Sequence, residues 1–189
     1  MRPSRVYTVE GIILKRRNVG EADRILTVFT KQYGKIRVVA KGVRRINSRR
    51  AGHIEVFSRV LITLHKGKTF DIVTEAQQIT EKGFIDASIT NMSYAYYLCE
   101  LVDQLLPDGQ QHEDVFEVLC GALVAVQKQV NEERLGVYIN EFTHRLLWTL
   151  GYLERSKRLE PSRLRPFVES VTERKSKTLL LLTKLHAHA

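Results

Sequence analysis

The spacing of apolar residues changes once along the chain, near residue 82, and this change limits the fold more than any other feature of the sequence. Before it, β-branched and apolar residues fall in short runs: Val6–Leu14, Arg24–Thr30, Gly34–Ala40, Glu55–His65 and Phe70–Ile79. These runs predict five strands. Asn18-Val19-Gly20, Gln32-Tyr33-Gly34 and Lys66-Gly67-Lys68 mark turns, the last closing a hairpin, and a polar stretch runs from Lys41 to Gly52. Five antiparallel strands in so short a span predict an OB-type β-barrel, with an SH3-like barrel as the structural rival.

After Asp86 the period becomes helical. Met92, Ala95, Tyr96, Cys99, Val102 and Leu106 form one stripe, ended by Pro107-Asp108-Gly109. Phe116, Leu119, Cys120, Leu123 and Gln127 form a second, and Leu135, Tyr138, Ile139, Phe142, Leu146, Thr149 and Leu150 a third that stops at Gly151. Beyond Pro166, the residues Val168, Val171, Leu179, Leu182 and Leu185 predict one more helix face. The expected organisation is α+β: a barrel over residues 1–82 and an α-helical bundle with a short basic end over residues 83–189.

Charge follows the same division. Residues 1–80 hold 17 Lys and Arg against 6 Asp and Glu, residues 81–154 hold 4 against 12, and residues 155–189 hold 9 against 3. A basic block inside a folded region implies a polyanionic partner. The longest apolar runs, Val118–Val126 and Leu179–Leu182, are too short to cross a bilayer, and the amino terminus has no secretory h-region, so a cytoplasmic location is expected.

Little in the sequence points to covalent chemistry. Gly67-Lys68-Thr69 has Ile62 where a phosphate-binding loop needs its first glycine, and a hairpin turn explains it better. Cys99 and Cys120 fall on apolar stripes as packing thiols, and His144 sits between apolar helix positions as a structural or surface residue. The few acids of the barrel are scattered, so a metal-dependent nuclease lacks its clustered carboxylates. The expectation is a protein that is not an enzyme, with no cofactor and no bound metal.

The densest signal is Lys41-Gly42-Val43-Arg44-Arg45-Ile46-Asn47-Ser48-Arg49-Arg50, with five cations, no acid, and Gly and Ser that predict mobility. Arginine forks suit phosphates, and a loop can follow an irregular single strand. Five phosphate contacts would give a log–log salt slope of about −3.5. Lys15, Arg16, Arg17, Lys35, Arg37, Lys66 and Lys68 lie at strand ends and turns of the same barrel and extend the candidate site to Lys41, Arg44, Arg45, Arg49 and Arg50. Phe29, Tyr33, Phe57 and Phe70 are candidates for stacking on bases, alternation making at least half of them core residues.

The runs Glu10-Gly11-Ile12-Ile13-Leu14-Lys15, Gly20–Thr30 and Tyr33-Gly34-Lys35 resemble the amino-terminal domain of the bacterial recombination-mediator family RecO. Ala40–Arg45, Gly52–Phe57 and Asp71–Ala76 continue the resemblance in order, and Leu150-Gly151-Tyr152 resembles the end of its helical domain. The resemblance implies an OB barrel followed by helices. It also implies binding to single- and double-stranded DNA, annealing of complementary strands, contacts with RecR and with single-stranded-DNA-binding protein (SSB), and help in loading RecA during repair. It places Lys35, Arg37, Lys41, Arg44 and Arg45 in the part of the barrel that meets DNA, and suggests association with the nucleoid. Many family members carry a four-cysteine zinc module after the position of Tyr152, which this sequence lacks. The basic, leucine-bearing segment Arg155–Lys184 is expected to help hold the acidic tail of SSB by charge and groove burial. An RNA-binding OB-fold accessory and a scaffold that binds only protein are the alternatives.

Overall fold

The computed structural model describes residues 5–48, 50–79, 88–128, 131–173 and 178. The chain divides into two compact units, one comprising residues 1–85 with 107–116, the other residues 86–106 with 117–189.

The first unit is a closed barrel of β1 (Val6–Val19), β2 (Asp23–Thr30), β3 (Gly34–Ala40), β4 (Arg59–His65) and β5 (Asp71–Gln78). The order around the barrel is β1-β2-β3-β5-β4. All neighbours are antiparallel except β3 and β5, which pair in parallel through Val38–Asp71 and Val39–Ile72. This is the OB arrangement expected from the sequence, and it excludes the SH3-like rival. Inward-facing Val9, Ile13, Leu26, Val28, Val38, Ala40, Val60, Ile62, Leu64 and Val73, with Val43 and Ile54 from the long loop, fill the interior.

Two strands differ from their sequence-based limits by more than one residue at an end. β1 runs to Val19 instead of Leu14 because Lys15–Val19, though polar, pair with Thr27–Asp23. Its register slips between Ile13 and Lys15, which leaves Leu14 as the extra residue of a bulge. β4 starts at Arg59 instead of Glu55. Phe57 takes a left-handed φ of 72°, and its N–H donates to the Ile13 carbonyl, so this stretch turns across β1 before the strand begins.

Residues 107–116 lie on the outside of the barrel. The Gly109 N–H donates to the Lys35 carbonyl at 2.9 Å, and the Gln111 side-chain amide donates to the Lys31 carbonyl. Phe116 packs its ring on Phe29 at 5.8 Å, and both are fully buried. The segment approaches so closely that a Cβ on Gly34 would stand 1.9 Å from the Gln110 carbonyl oxygen. With φ at +65°, position 34 therefore needs glycine for two reasons.

In the second unit, α1 spans Ile89–Leu105, α2 Glu113–Lys128 with its first turn in the barrel unit, α3 Glu132–Thr149 and α4 Pro161–Thr172. Ser88 caps α1 by accepting from the Asn91 N–H, and Asn131 caps α3 in the same way at Arg134. Leu106, held extended by the proline that follows, ends α1. Tyr96 and Tyr138 of the predicted stripes are exposed in part, while Tyr97, Leu98, Leu101 and Leu147 are buried. α4 starts ahead of Pro166, with Pro161 at its first position, and ends at left-handed Glu173. Leu179, Leu182 and Leu185 lie outside the described residues. His144 is buried: its Nδ1 pairs with the Asn140 carbonyl at 2.8 Å, and its Nε2 accepts from the Leu159 N–H at 3.0 Å. These bonds give it a structural role.

Candidate nucleic-acid interface

The bulge at Leu14 decides where the first cations go. Before it, Val9 and Ile13 point into the barrel; after it, Arg16 stands opposite inward-facing Leu26, while Lys15 and Arg17 stand opposite Thr27 and Ile25 on the outer face. Thr27 is in turn opposite Arg37 of β3, so Lys15, Thr27 and Arg37 form one row on the outside, with about 10 Å between the outer two backbones. Arg16 turns to the barrel mouth and pairs with Glu55, which also holds Arg24 at 3.3 Å. Three consecutive cations thus serve two surfaces.

The same outer face is partly occupied by residues 107–116. Lys35 is buried and pairs with Asp108 at 3.3 Å, so it takes no place on the exposed surface, contrary to its inclusion with the candidate contacts. Arg37 remains mostly exposed and shares Asp108 at 3.2 Å.

The loop after β3 is fastened to the β1–β2 hairpin, which replaces the mobility expected from its Gly and Ser. The Gly42 N–H donates to Asp23 Oδ1 at 2.7 Å, the Arg44 N–H donates to the Ala22 carbonyl, and the Arg44 guanidinium donates to the Gly20 carbonyl. Val43 is buried in the barrel core. Arg50 donates to the carbonyls of Val73 and Lys41, holding the far end of the loop on β5. Lys41, Arg44 and Arg45 are exposed, and Arg49 lies outside the described residues. Among the described residues, no acid pairs with Lys15, Arg17, Lys41, Arg44 or Arg45.

Lys66 and Lys68 are exposed on the β4–β5 hairpin. The Lys66 N–H donates to the Arg5 carbonyl, at the other end of β1, about 30 Å of strand contour from Lys15. The basic residues therefore fall in three places: the outer row with Lys15, Arg17 and Arg37, the loop with Lys41, Arg44, Arg45 and Arg50, and the hairpin with Lys66 and Lys68. Of the aromatic candidates, Phe29 is buried, Phe57 and Phe70 are half-buried, and Tyr33 is 51% exposed on the β2–β3 turn, its ring edge-on to Tyr7 at 5.5 Å. Asp108 and Arg24 enter the site only through the structure. A strand's alternation could have found Arg24, whereas Asp108 depends on contacts distant in sequence.

Residues 1–81 match the family model described as "Recombination protein O N terminal", and residues 87–154 match "Recombination protein O C terminal". The chain belongs to the RecO family. It is 35% identical to a DNA repair protein RecO of Roseiflexus sp. over 78% of this chain and 51% of that protein. It is 38% identical to that of Bifidobacterium adolescentis over 67% of this chain and 52% of the relative. With a third from Pelotomaculum thermopropionicum the identity is 33%, over 63% of this chain and 46% of the relative. The chain thus spans about half the length of the curated RecO relatives it matches. Among the described residues, no helix is long and apolar enough to cross a membrane, and no group of three or more His, Cys, Asp or Glu is placed to hold a metal ion.

Proposed function

We propose that this chain acts in DNA repair as a recombination mediator, binding single- and double-stranded DNA without covalent chemistry and annealing complementary strands. The observation that carries the reading is the set of five exposed cations with no acidic partner among the described residues, Lys15, Arg17, Lys41, Arg44 and Arg45, on adjoining parts of one barrel. Annealing brings two phosphate backbones together against their repulsion, and such a surface supplies the neutralisation. Sequence preference is weak, because loops and a sheet face offer no recognition helix for a groove. The partners in this reading are RecR, SSB and, through loading, RecA, in the cytoplasm at the nucleoid. Arg155, Lys157, Arg158 and Arg163, exposed at and before α4, are the described part of the segment expected to meet the acidic SSB tail.

Annealing of complementary oligonucleotides precoated with SSB, at two salt concentrations, tests the whole reading. At five phosphate contacts, binding to a bare strand has a log–log slope of about −3.5 and weakens roughly a hundredfold when salt rises fourfold. Replacing Arg44 and Arg45 with Ala flattens the slope to about −2.1. A variant that keeps the original slope removes the loop from the interface, and preference for RNA over a matched DNA strand favours the RNA-binding alternative.

A further inference from the structure

Within the basic loop lies a shallow cavity of about 520 Å³ lined by Asp23, Lys41, Gly42, Arg45, Asn47, Ser48 and Arg50. Ser48 is one of these lining residues, and its hydroxyl is buried and has no hydrogen-bond partner among the described residues. Buried hydroxyls are nearly always paired, and an unpaired one in a folded loop calls for a reason. The surroundings supply one. The Arg50 guanidinium is already spent on the Val73 and Lys41 carbonyls, and Asp23 is engaged by the Gly42 N–H, so the walls are held in place from outside. The Lys41 ammonium, the Arg45 guanidinium and the Asn47 amide are exposed. Three cations against one carboxylate leave the cavity positive.

We propose that this cavity is a discrete seat for one phosphoryl group, Lys41 and Arg45 balancing its charge while the Ser48 hydroxyl, turned into the cavity by rotation about χ1, donates to a phosphate oxygen. The proposal rests on the DNA-binding reading and deepens it: the diffuse basic surface attracts the strand, and this seat fixes its register. Neutral donors are useful here because they are directional and release no counterion.

Ser48 and the arginines then differ in a measurable way. Ser48→Ala weakens binding of a 20-mer single strand roughly tenfold, the effect of one hydrogen bond to a charged group, and leaves the salt slope unchanged. Arg45→Ala weakens binding and lowers the slope by about 0.7. Ser48→Ala also unfolds at the same or a higher temperature, since it removes an unpaired buried hydroxyl; a residue with a purely structural role would lower that temperature. The titration is run on strands with and without a 5′-phosphate. Equal loss on both assigns the seat to an internal phosphodiester, and loss confined to the phosphorylated strand assigns it to a strand end; both support the seat. Wild-type affinity of Ser48→Ala for both strands, or a loss of affinity matched by a loss of thermal stability, overturns it while leaving the DNA-binding reading intact. Failure of the unaltered protein to bind either strand rejects that reading instead.

Discussion

Replacing Gly34 with Ala tests whether residues 107–116 are seated directly on the barrel wall. The new methyl would meet the Gln110 carbonyl oxygen at 1.9 Å and its carbonyl carbon at 2.4 Å, distances no rotation of a side chain can relieve. The backbone at φ +65° adds about 1–2 kcal/mol for any residue with a Cβ. To admit the methyl, the segment must withdraw. It then loses the Gly109 to Lys35 hydrogen bond, worth about 1 kcal/mol net, and part of the Phe116 burial on Phe29, worth about 1.5–3 kcal/mol when complete. The expected total is about 3–5 kcal/mol. Gly109 is the control, because its φ is +75° but no atom would lie within 4 Å of an added methyl, so Gly109→Ala carries only the backbone cost of about 1–2 kcal/mol. Urea unfolding followed by circular dichroism reads the sheet, while the fluorescence of Trp148, the single tryptophan, reads the helical unit separately. Equal loss in the two variants would refute the close approach.

His144→Ala leaves the half-buried Leu159 N–H without its acceptor, which costs about 1 kcal/mol, and exposes Trp148, whose ring lies 5.5 Å away; a red shift of its emission before global unfolding is the expected signal. Burial pushes the Cys99 thiol well above its ordinary range, so a thiol reagent at a pH of about 8 should modify half-buried Cys120 while Cys99 reacts only on unfolding. Burial, partly offset by a hydrogen bond with Thr143, pushes Tyr97 up to about 12. Because the folded form keeps its proton above the unfolded value of 10, this group's contribution is complete below pH 10 and falls away towards pH 12. Tyr97→Phe should flatten that alkaline loss of stability.

The barrel was legible because each strand's apolar alternation is local. Val60, Ile62 and Leu64 declare an inward face without reference to anything else in the chain. The helices were legible for the same reason, down to the proline that ends α1. The fate of individual cations was not. Lys35 belongs to an alternating strand and is basic, yet it is buried because Asp108, in a segment far along the chain, covers it. Gly42 and Ser48 look like a flexible loop, yet Asp23 and the β1–β2 hairpin fix one side of it and Arg50 the other. These outcomes depend on pairings across the fold, which composition and spacing do not encode. The start of β4 was missed for a local reason, since a left-handed Phe57 is uncommon for a bulky residue.

The single extra residue in β1 has a wider implication: it reverses the parity with which side chains are dealt to the two sides of the ribbon. Were Leu14 paired in a regular ladder, strict alternation from Ile13 would send Arg16 outward and turn Lys15 and Arg17 toward the mouth, exchanging fastening and solvent-facing duties without altering the total charge. Homologous barrels with identical basic counts can therefore present quite different fields to a polyanion, and the phase of the strand is what has to be compared.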